Sequence, residues 1–374
     1  MSRPNRLLTQ SWSHSPSAWT RRPDKVHNCP CIRGNVGNRS VMMPGAEPVR
    51  LSAQDLLHEA ACVACRAPSI ANSQPWLWRI SNDVLELRCD PSRQLPIADP
   101  HGQLMVISCG ALLHHVTVVL AVLGAGVAVE RVNDASDPLL LARLTLTGPR
   151  AVTAEDMRMH HALRIRRTDR RPFRGTGPLP ESVIDLLREV APPFGVASHV
   201  FDPEQVGFLA HAVREAAQIH EKSESYRYEM AAWTTYRNPV GRDGVPPTAA
   251  VPQVPRTVPV RNFAPDSQPL LEAGPGDDRY TTYLAFATDT DTKTDWLRTG
   301  EAVSAVLLTA TTLGIASSVL SEVVEVPGAR GLLHALVAPA GFPQLTVRVG
   351  LNASGSELPL TPRRHCSEVI TMAS

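Results

Sequence analysis

Leu104-Met-Val-Ile-Ser-Cys-Gly110-Ala-Leu-Leu-His114-His115-Val-Thr-Val-Val-Leu-Ala-Val-Leu-Gly124 contains no Asp, Glu, Lys or Arg, and the chain stays uncharged as far as Val129. Ala302 to Ser321 is uncharged as well, so both runs reach the roughly 20 residues that a membrane span requires. The first carries His114 and His115 at its middle, and the second carries Ser304, Thr309, Thr311 and Thr312. Polar side chains at that depth are costly in lipid, yet inside a protein they can bond back to their own helix. Both runs therefore read as buried core helices, and no membrane partner is expected.

The two runs also match each other at one fixed offset: Gly110 with Gly300, Ala111 with Glu301, Leu123 with Leu313 and Gly124 with Gly314. Each ends at Leu-Gly, the stop expected where a helix closes on a left-handed glycine. A strand-like segment precedes each helix, Val84 to Cys89 in one case and Tyr283 to Ala287 in the other. Another follows, Leu141 to Thr147 and Leu345 to Gly350, with half-buried alternation. Two similar α+β halves with very apolar central helices make sense if those helices pack on each other. The expected architecture is an intramolecular pseudo-dimer with a first half over 51–154 and a second over 155–374, the two central helices buried between sheets flanked by further helices.

Residues 1–50 are rich in Arg, Ser, Pro and Asn without hydrophobic periodicity and read as a disordered arm, with no apolar run of the kind a signal peptide needs. Seven scattered cysteines argue for reduced thiols in a cytoplasmic protein. The pairs Cys29/Cys31 and Cys62/Cys65 read as buried thiols before they read as zinc ligands. Lys+Arg 37 against Asp+Glu 36 leaves no global basic field, so no nucleic-acid partner is expected and any phosphate must be held locally.

Chemistry concentrates in two places. The loop Arg66-Ala-Pro68-Ser69-Ile-Ala-Asn72-Ser73-Gln74-Pro-Trp76-Leu-Trp78 follows an amphipathic helix over Ala53 to Cys65. Its short polar side chains and two indoles suit the edge and face of a flat heteroaromatic ligand. A capping loop with core tryptophans is the competing reading. The second place is Arg164-Ile-Arg166-Arg167-Thr168-Asp169-Arg170-Arg171, five arginines in eight residues. Guanidinium forks match phosphate oxygens and Thr168 adds a hydroxyl, whereas a solvated helix end paired internally to Asp169 is the alternative. Arg363 and Arg364 near the C-terminus could close the same site or belong to a tail.

Proline is over-represented, at 33 of 374, and nine prolines fall between Pro239 and Pro275. They exclude regular helix or central strand there. With Tyr226, Tyr228, Trp233 and Tyr236 just upstream, the segment of about 220–275 reads either as a lid with aromatic anchors or as a solvated linker.

Ala67-Pro-Ser-x-x-Asn-x-Gln-Pro-Trp76 resembles the signature loop of the FMN-dependent nitroreductase superfamily, and Arg166-Arg-Thr-Asp-Arg170 resembles its phosphate motif. With the motifs in reversed order and the halves in tandem, the chain from Leu51 onward is similar to the Acg family of single-chain pseudo-dimers. The resemblance implies a nitroreductase-like fold duplicated in tandem, with antiparallel-type sheets and a Pro-rich lid. It also implies one FMN per monomeric chain. Pro68, Ser69, Asn72, Ser73, Gln74, Trp76 and Trp78 would line the flavin. Arg166, Arg167, Thr168, Arg170, Arg363 and Arg364 would hold its phosphate, and the loop Ser318 to Glu322, with Ser321, would face its N5. The implied activity is hydride transfer from NAD(P)H through FMN to a nitroaromatic or quinone-like small-molecule acceptor, without a protein acid–base pair. The alternative is an FMN-sequestering protein whose lid excludes a second substrate.

Overall fold

The computed structural model describes residues 52–234, 242–264, 267–352 and 357–373. The arm expected over 1–50, the Cys29/Cys31 pair, Tyr236 and Pro239 lie outside the described residues. Helix α1 (Ala53–Ala64) starts at Ser52, whose hydroxyl accepts from the Asp55 N–H, and buries Leu57, Ala60, Ala61 and Ala64. The strands β1 (Trp76–Ser81) and β2 (Val84–Cys89) form an antiparallel hairpin. The first apolar run becomes α2 (Gln103–Val122), and β3 (Ala125–Arg131) and β4 (Leu140–Pro149) complete this half. Helix α2 is long and apolar enough to cross a membrane, yet its surface is almost wholly buried within the protein.

Next come α3 (Ala154–Ile165), α4 (Glu181–Glu189), β5 (Ala197–Val200), α5 (Pro203–Lys222) and α6 (Glu224–Trp233). The chain then runs irregularly to β6 (Thr282–Thr288), interrupted among its described residues by one short turn of helix at Pro247–Ala249. The second apolar run is α7 (Lys293–Thr312), followed by β7 (Ala316–Leu320), α8 (Glu322–Glu325), α9 (Pro327–Val337), β8 (Phe342–Gly350), α10 (Cys366–Val369) and β9 (Ile370–Met372).

Two sheets result, in the orders β3-β4-β2-β1-β9 and β5-β6-β8-β7. Every pairing is antiparallel except β1 with β9, where Trp78 lies opposite Ile370. The C-terminal strand thus leaves the second half and completes the sheet of the first. Each core borrows side chains from the opposite central helix: Leu104 and Ile107 of α2 join the core of the second sheet, and Leu297 and Leu308 of α7 join that of the first.

Helices α2 and α7 cross with backbone against backbone. A Cβ added to Gly110 would lie 2.0 Å from the Leu297 carbonyl oxygen, and one added to Gly300 would lie 2.0 Å from the Ile107 carbonyl oxygen. The contact is reciprocal at the offset that aligned the two runs. It repeats one turn further on, where His114 Nδ1 and Ser304 Oγ are 3.0 Å apart. This is the geometry of an isologous two-fold contact inside one chain.

Substituting Ala for Gly110 or Gly300 should therefore cost about 2–4 kcal/mol, because the helices must separate to admit it. Gly207 in α5 meets nothing within 4 Å, so Gly207→Ala should gain about 0.5–1 kcal/mol as a helix-propensity control. Urea denaturation checks both signs. Burial also holds His114 down to about 4, and His115 is pushed down by burial and by Arg166. Between the folded value and the unfolded value of about 6.5, protons bind the unfolded chain preferentially, so stability falls as pH drops through that window. For His114 alone the loss is about 2 kcal/mol by pH 5. A denaturation midpoint that is the same at pH 7 and pH 5, or a His114→Gln variant with the wild-type pH slope, would contradict this.

Candidate functional site

Pro68 to Pro75 is a strained loop. Ala71, Asn72 and Gln74 adopt left-handed backbone conformations with φ of 45°, 53° and 52°, uncommon for residues other than glycine. Local hydrogen bonds hold it: the Gln74 N–H donates to Ser69 Oγ at 2.9 Å, the Ser73 N–H to the Ile70 carbonyl at 2.8 Å, and the Ile70 N–H to Ser108 Oγ of α2 at 3.1 Å. Beneath it, Ala71, Leu95 and Ala98 pack on Tyr226, Met230 and Trp233 of α6. Of the aromatic anchors, Tyr226 and Trp233 thus fix this loop, whereas Tyr228 is 76% exposed.

The arginine segment leaves the end of α3 and is pinned from below. The Asp169 N–H donates to the Ser317 carbonyl at 2.9 Å, and Arg348 donates to the carbonyls of Asp169 and Arg171, each at 2.8 Å. Asp169 is engaged by Arg171 at 2.9 Å and by Asn352 at 2.6 Å. The cluster therefore divides. Arg171 turns inward to its carboxylate, and Arg166, Arg167, Thr168 and Arg170 face a cavity.

That cavity encloses about 730 Å³, part of it open to solvent, and is lined by Pro68, Ser69, Asn72, Arg66, Arg164 and the four residues just named. Leu358 to Thr361 and Arg363 close it from the tail, and Ala249 and Leu271 from the Pro-rich segment. A second cavity of about 700 Å³ adjoins it, sharing Pro68, Ser69, Thr168 and Arg170. This one is largely apolar, walled by Leu104, Ile107 and Ala111 of α2, by Gly300, Val303 and Leu307 of α7, and by Phe263 and Ser321.

The basic chamber holds more positive charge than its surroundings balance. Among the described residues none of Arg66, Arg164, Arg166, Arg167, Arg170 and Arg363 makes an ion pair, whereas the neighbouring Arg171, Arg348 and Arg364 all do. Arg166 is buried and Arg363 half-buried, and the Nε–H of each lies out of solvent without a partner. Burial, then repulsion from Arg167, lowers Arg166 to about 10. Burial, then Arg166 and Arg66, lowers Arg363 to about 9. Arg170 also falls to about 10 through burial and the fields of Arg261 and Arg348, with its guanidinium 4.4 Å from the Phe263 ring centroid. Buried, mutually repelling guanidiniums with idle donors suit a multiply charged anion.

Several expected contacts lie elsewhere. Trp76 and Trp78 are 0% and 1% exposed in the core of the first sheet and line neither cavity, as the reading of core tryptophans had it. Their alternation on β1 puts both on the face covered by α1 and α2. Ser73 and Gln74 are buried away from both cavities. Gln74 donates to the Arg242 carbonyl at 3.0 Å and accepts from the Arg364 N–H at 2.9 Å. Arg364 is drawn outward, bonding the Gln74 carbonyl at 3.3 Å and approaching Asp90 to 3.6 Å. Asn72 lines the basic chamber, but its amide is occupied by the Gly244 carbonyl at 2.9 Å and by Arg363 Nη1 at 2.9 Å. These residues position the loop, the tail and the Pro-rich segment.

The Pro-rich segment is not a solvated linker over its described part. Val245, Ala249, Ala250, Val251, Val258 and Val260 are buried, and Asp243 pairs with Arg93. Phe263, Ala249, Leu271 and Leu358 to Thr361 were not singled out as site residues in the sequence, because long-range packing alone brings them there. Arg66 and Arg164 open the two quoted stretches and could have been singled out by asking which arginines lack an acidic neighbour. Cys65 is buried with its thiol pushed up to about 12 by burial and by Cys366, an inert environment.

No family model matches the chain. It is 36% identical over 331 residues to "Putative NAD(P)H nitroreductase Rv3131" of Mycobacterium tuberculosis, covering 87% of this chain and 92% of that protein. It is 33% identical over 325 residues to "Putative NAD(P)H nitroreductase acg" of the same organism, covering 86% and 97%. Among solved structures, a nitroreductase with bound FMN from Bacteroides fragilis aligns with 15% identity and a TM-score of 0.36, over 58% of this chain and 98% of that one. On the strength of the full-length relatives, the chain belongs to the NAD(P)H nitroreductase family that includes acg and Rv3131.

Proposed function

We propose that this chain is an FMN-dependent oxidoreductase, two nitroreductase-like halves in tandem, that takes hydride from NAD(P)H and delivers it to a small acceptor such as a nitroaromatic or a quinone. The observation that carries the reading is the continuity of a chamber of unpaired arginines with an apolar chamber between α2 and α7. FMN unites the two chemistries those chambers call for, a phosphate dianion and a heteroaromatic ring. When bound, it supplies two-electron redox chemistry.

The chain's own residues bind, orient and exclude water. Arg166, Arg167, Thr168, Arg170 and Arg363 would hold the phosphate. Arg170, common to both chambers, would set a fixed cation beside a bound ring, where it would favour added negative charge. Ser69 and the backbone around Ser321 offer hydrogen bonds at the ring chamber, while Leu104, Ile107, Val303 and Leu307 keep water from it. Both helices of the crossing come from one chain, so a monomer suffices, and light scattering at about twice the chain mass of 40.6 kDa would count against it.

One observation favours a second reading, a flavin store. Phe263 of the Pro-rich segment both lines the ring chamber and packs on Arg170. Anaerobic titration of the purified yellow protein separates the two. Bleaching by NADPH or NADH, then turnover of about 1 per second or better with a nitro or quinone acceptor, is the outcome expected of the enzyme. Flavin that neither nucleotide bleaches would leave the store.

The phosphate assignment has its own test. Arg167→Ala or Arg170→Ala should weaken FMN about ten- to a hundredfold, since each charge-assisted bond is worth about 1.5–3 kcal/mol. Arg166→Met should do the same while raising the melting temperature of the flavin-free protein, because it removes a buried charge that no protein group neutralises. Unchanged flavin content in all three variants would refute the assignment.

A further inference from the structure

Six guanidiniums line the basic chamber without an ion pair among the described residues, and a phosphate monoester brings about two negative charges. The six fall into two groups. Arg166 is buried and Arg363, Arg167 and Arg170 are half-buried, with the Nε atoms of Arg166 and Arg363 out of solvent. Arg164 is exposed and Arg66 half-buried at the mouth. Burial and then the charge of Arg164 push the Arg66 guanidinium down, and His160 nearby is lowered by burial and by Arg164, so the field at Arg66 and Arg164 is positive, while Glu357 at the start of the tail strip acts on Arg167. Against this pair the tail presents an apolar strip, Leu358-Pro359-Leu360, with Leu360 67% exposed, and Leu271 faces the same cavity. A cationic pair beside exposed apolar side chains is the surface that a phosphorylated nucleoside fits, phosphate on the guanidiniums and base against the aliphatic wall.

The geometry points to a second anion subsite at the chamber mouth, formed by Arg66 and Arg164 against Leu358-Pro359-Leu360, that takes the phosphate monoester of a dissociable nucleotide, the group that distinguishes NADPH from NADH. The inference rests on the FMN reading, since it assigns the rear arginines to the cofactor and only the outer pair to the second nucleotide. The two sites differ in what they must do. The rear site retains its anion through buried donors, whereas the outer pair, reachable from solvent, exchanges its ligand.

The test is equilibrium binding of 2′,5′-ADP and 5′-AMP to the flavin-loaded protein, a comparison that isolates the 2′-phosphate and needs no turnover. The wild-type chain should bind 2′,5′-ADP about tenfold or more tighter than 5′-AMP, and Arg164→Ala should bring the two to within about threefold of each other with flavin content unchanged. Arg164→Lys should recover part of the preference, because charge is kept while the fork is lost. Equal binding by the wild type, or a preference that survives Arg164→Ala, overturns the proposal. So does loss of flavin from Arg164→Ala, which would return the outer pair to the cofactor. A purified chain that carries no FMN, and takes none up, fails the earlier reading instead and is told apart before either ligand is added.

Discussion

At the crossing of α2 and α7 two backbones touch at Gly110 and Gly300, and a single Cβ on either would meet a carbonyl oxygen of the other helix. Everything else is arranged around that approach. Helices this close can exchange side chains between the two cores, so neither sheet has a complete core without the opposite helix. The same closeness fixes the site. The strained loop is tied to α2 through Ser108, and the ring chamber's far wall is α7, so the distance between those walls is set by the glycine contact rather than by any flexible connection.

A two-fold contact would ordinarily create two equivalent chambers. The symmetry is broken one residue beyond the glycines, where Ala111 in one helix corresponds to Glu301 in the other. Ala111 leaves room and lines the apolar cavity. Glu301 is buried and bonded at 2.7 and 2.9 Å to Arg131 of β3, so an ion pair stands where the other helix has a small apolar side chain. A carboxylate at that depth is tolerable only with a bidentate partner, which β3 supplies. The loop and the arginine motif likewise each occur in only one half.

What the sequence made legible was local or periodic: the uncharged runs, their shared offset, the Leu-Gly stops, and the density of arginine after α3. Those features survive because helix registry and charge clustering need no knowledge of distant partners. The illegible part depended on where irregular chain comes to rest. Trp76 and Trp78 were candidates because indoles suit a ring, but alternation on β1 could not say which face the ligand takes, and the core took both. The parallel pairing of β9 on β1, which carries Arg363 into the chamber, joins residues nearly 300 positions apart, and no short-range pattern announces it. Phe263 and Leu358 to Thr361 sit in proline-interrupted chain where periodicity carries no signal.

Asn72 and Gln74 have structural work within the protein itself. Both belong to the loop that the sequence singles out, and both spend their amides on protein: Asn72 on Gly244, Pro362 and Arg363, Gln74 on Arg242 and Arg364. The partners are the two segments, Pro-rich and C-terminal, that close the chambers from outside. The loop is therefore a clasp, and its left-handed residues are held in place by the chain that covers the site. Most of the clasp is neutral hydrogen bonds, each worth about 0.5–1.5 kcal/mol net, with Arg93 and Asp243 supplying the ion pair. The clasp is not the cover's whole fastening, because Val258 and Val260 of the Pro-rich segment belong to the core of the second sheet, and Val369 and Ile370 of the C-terminal segment to that of the first.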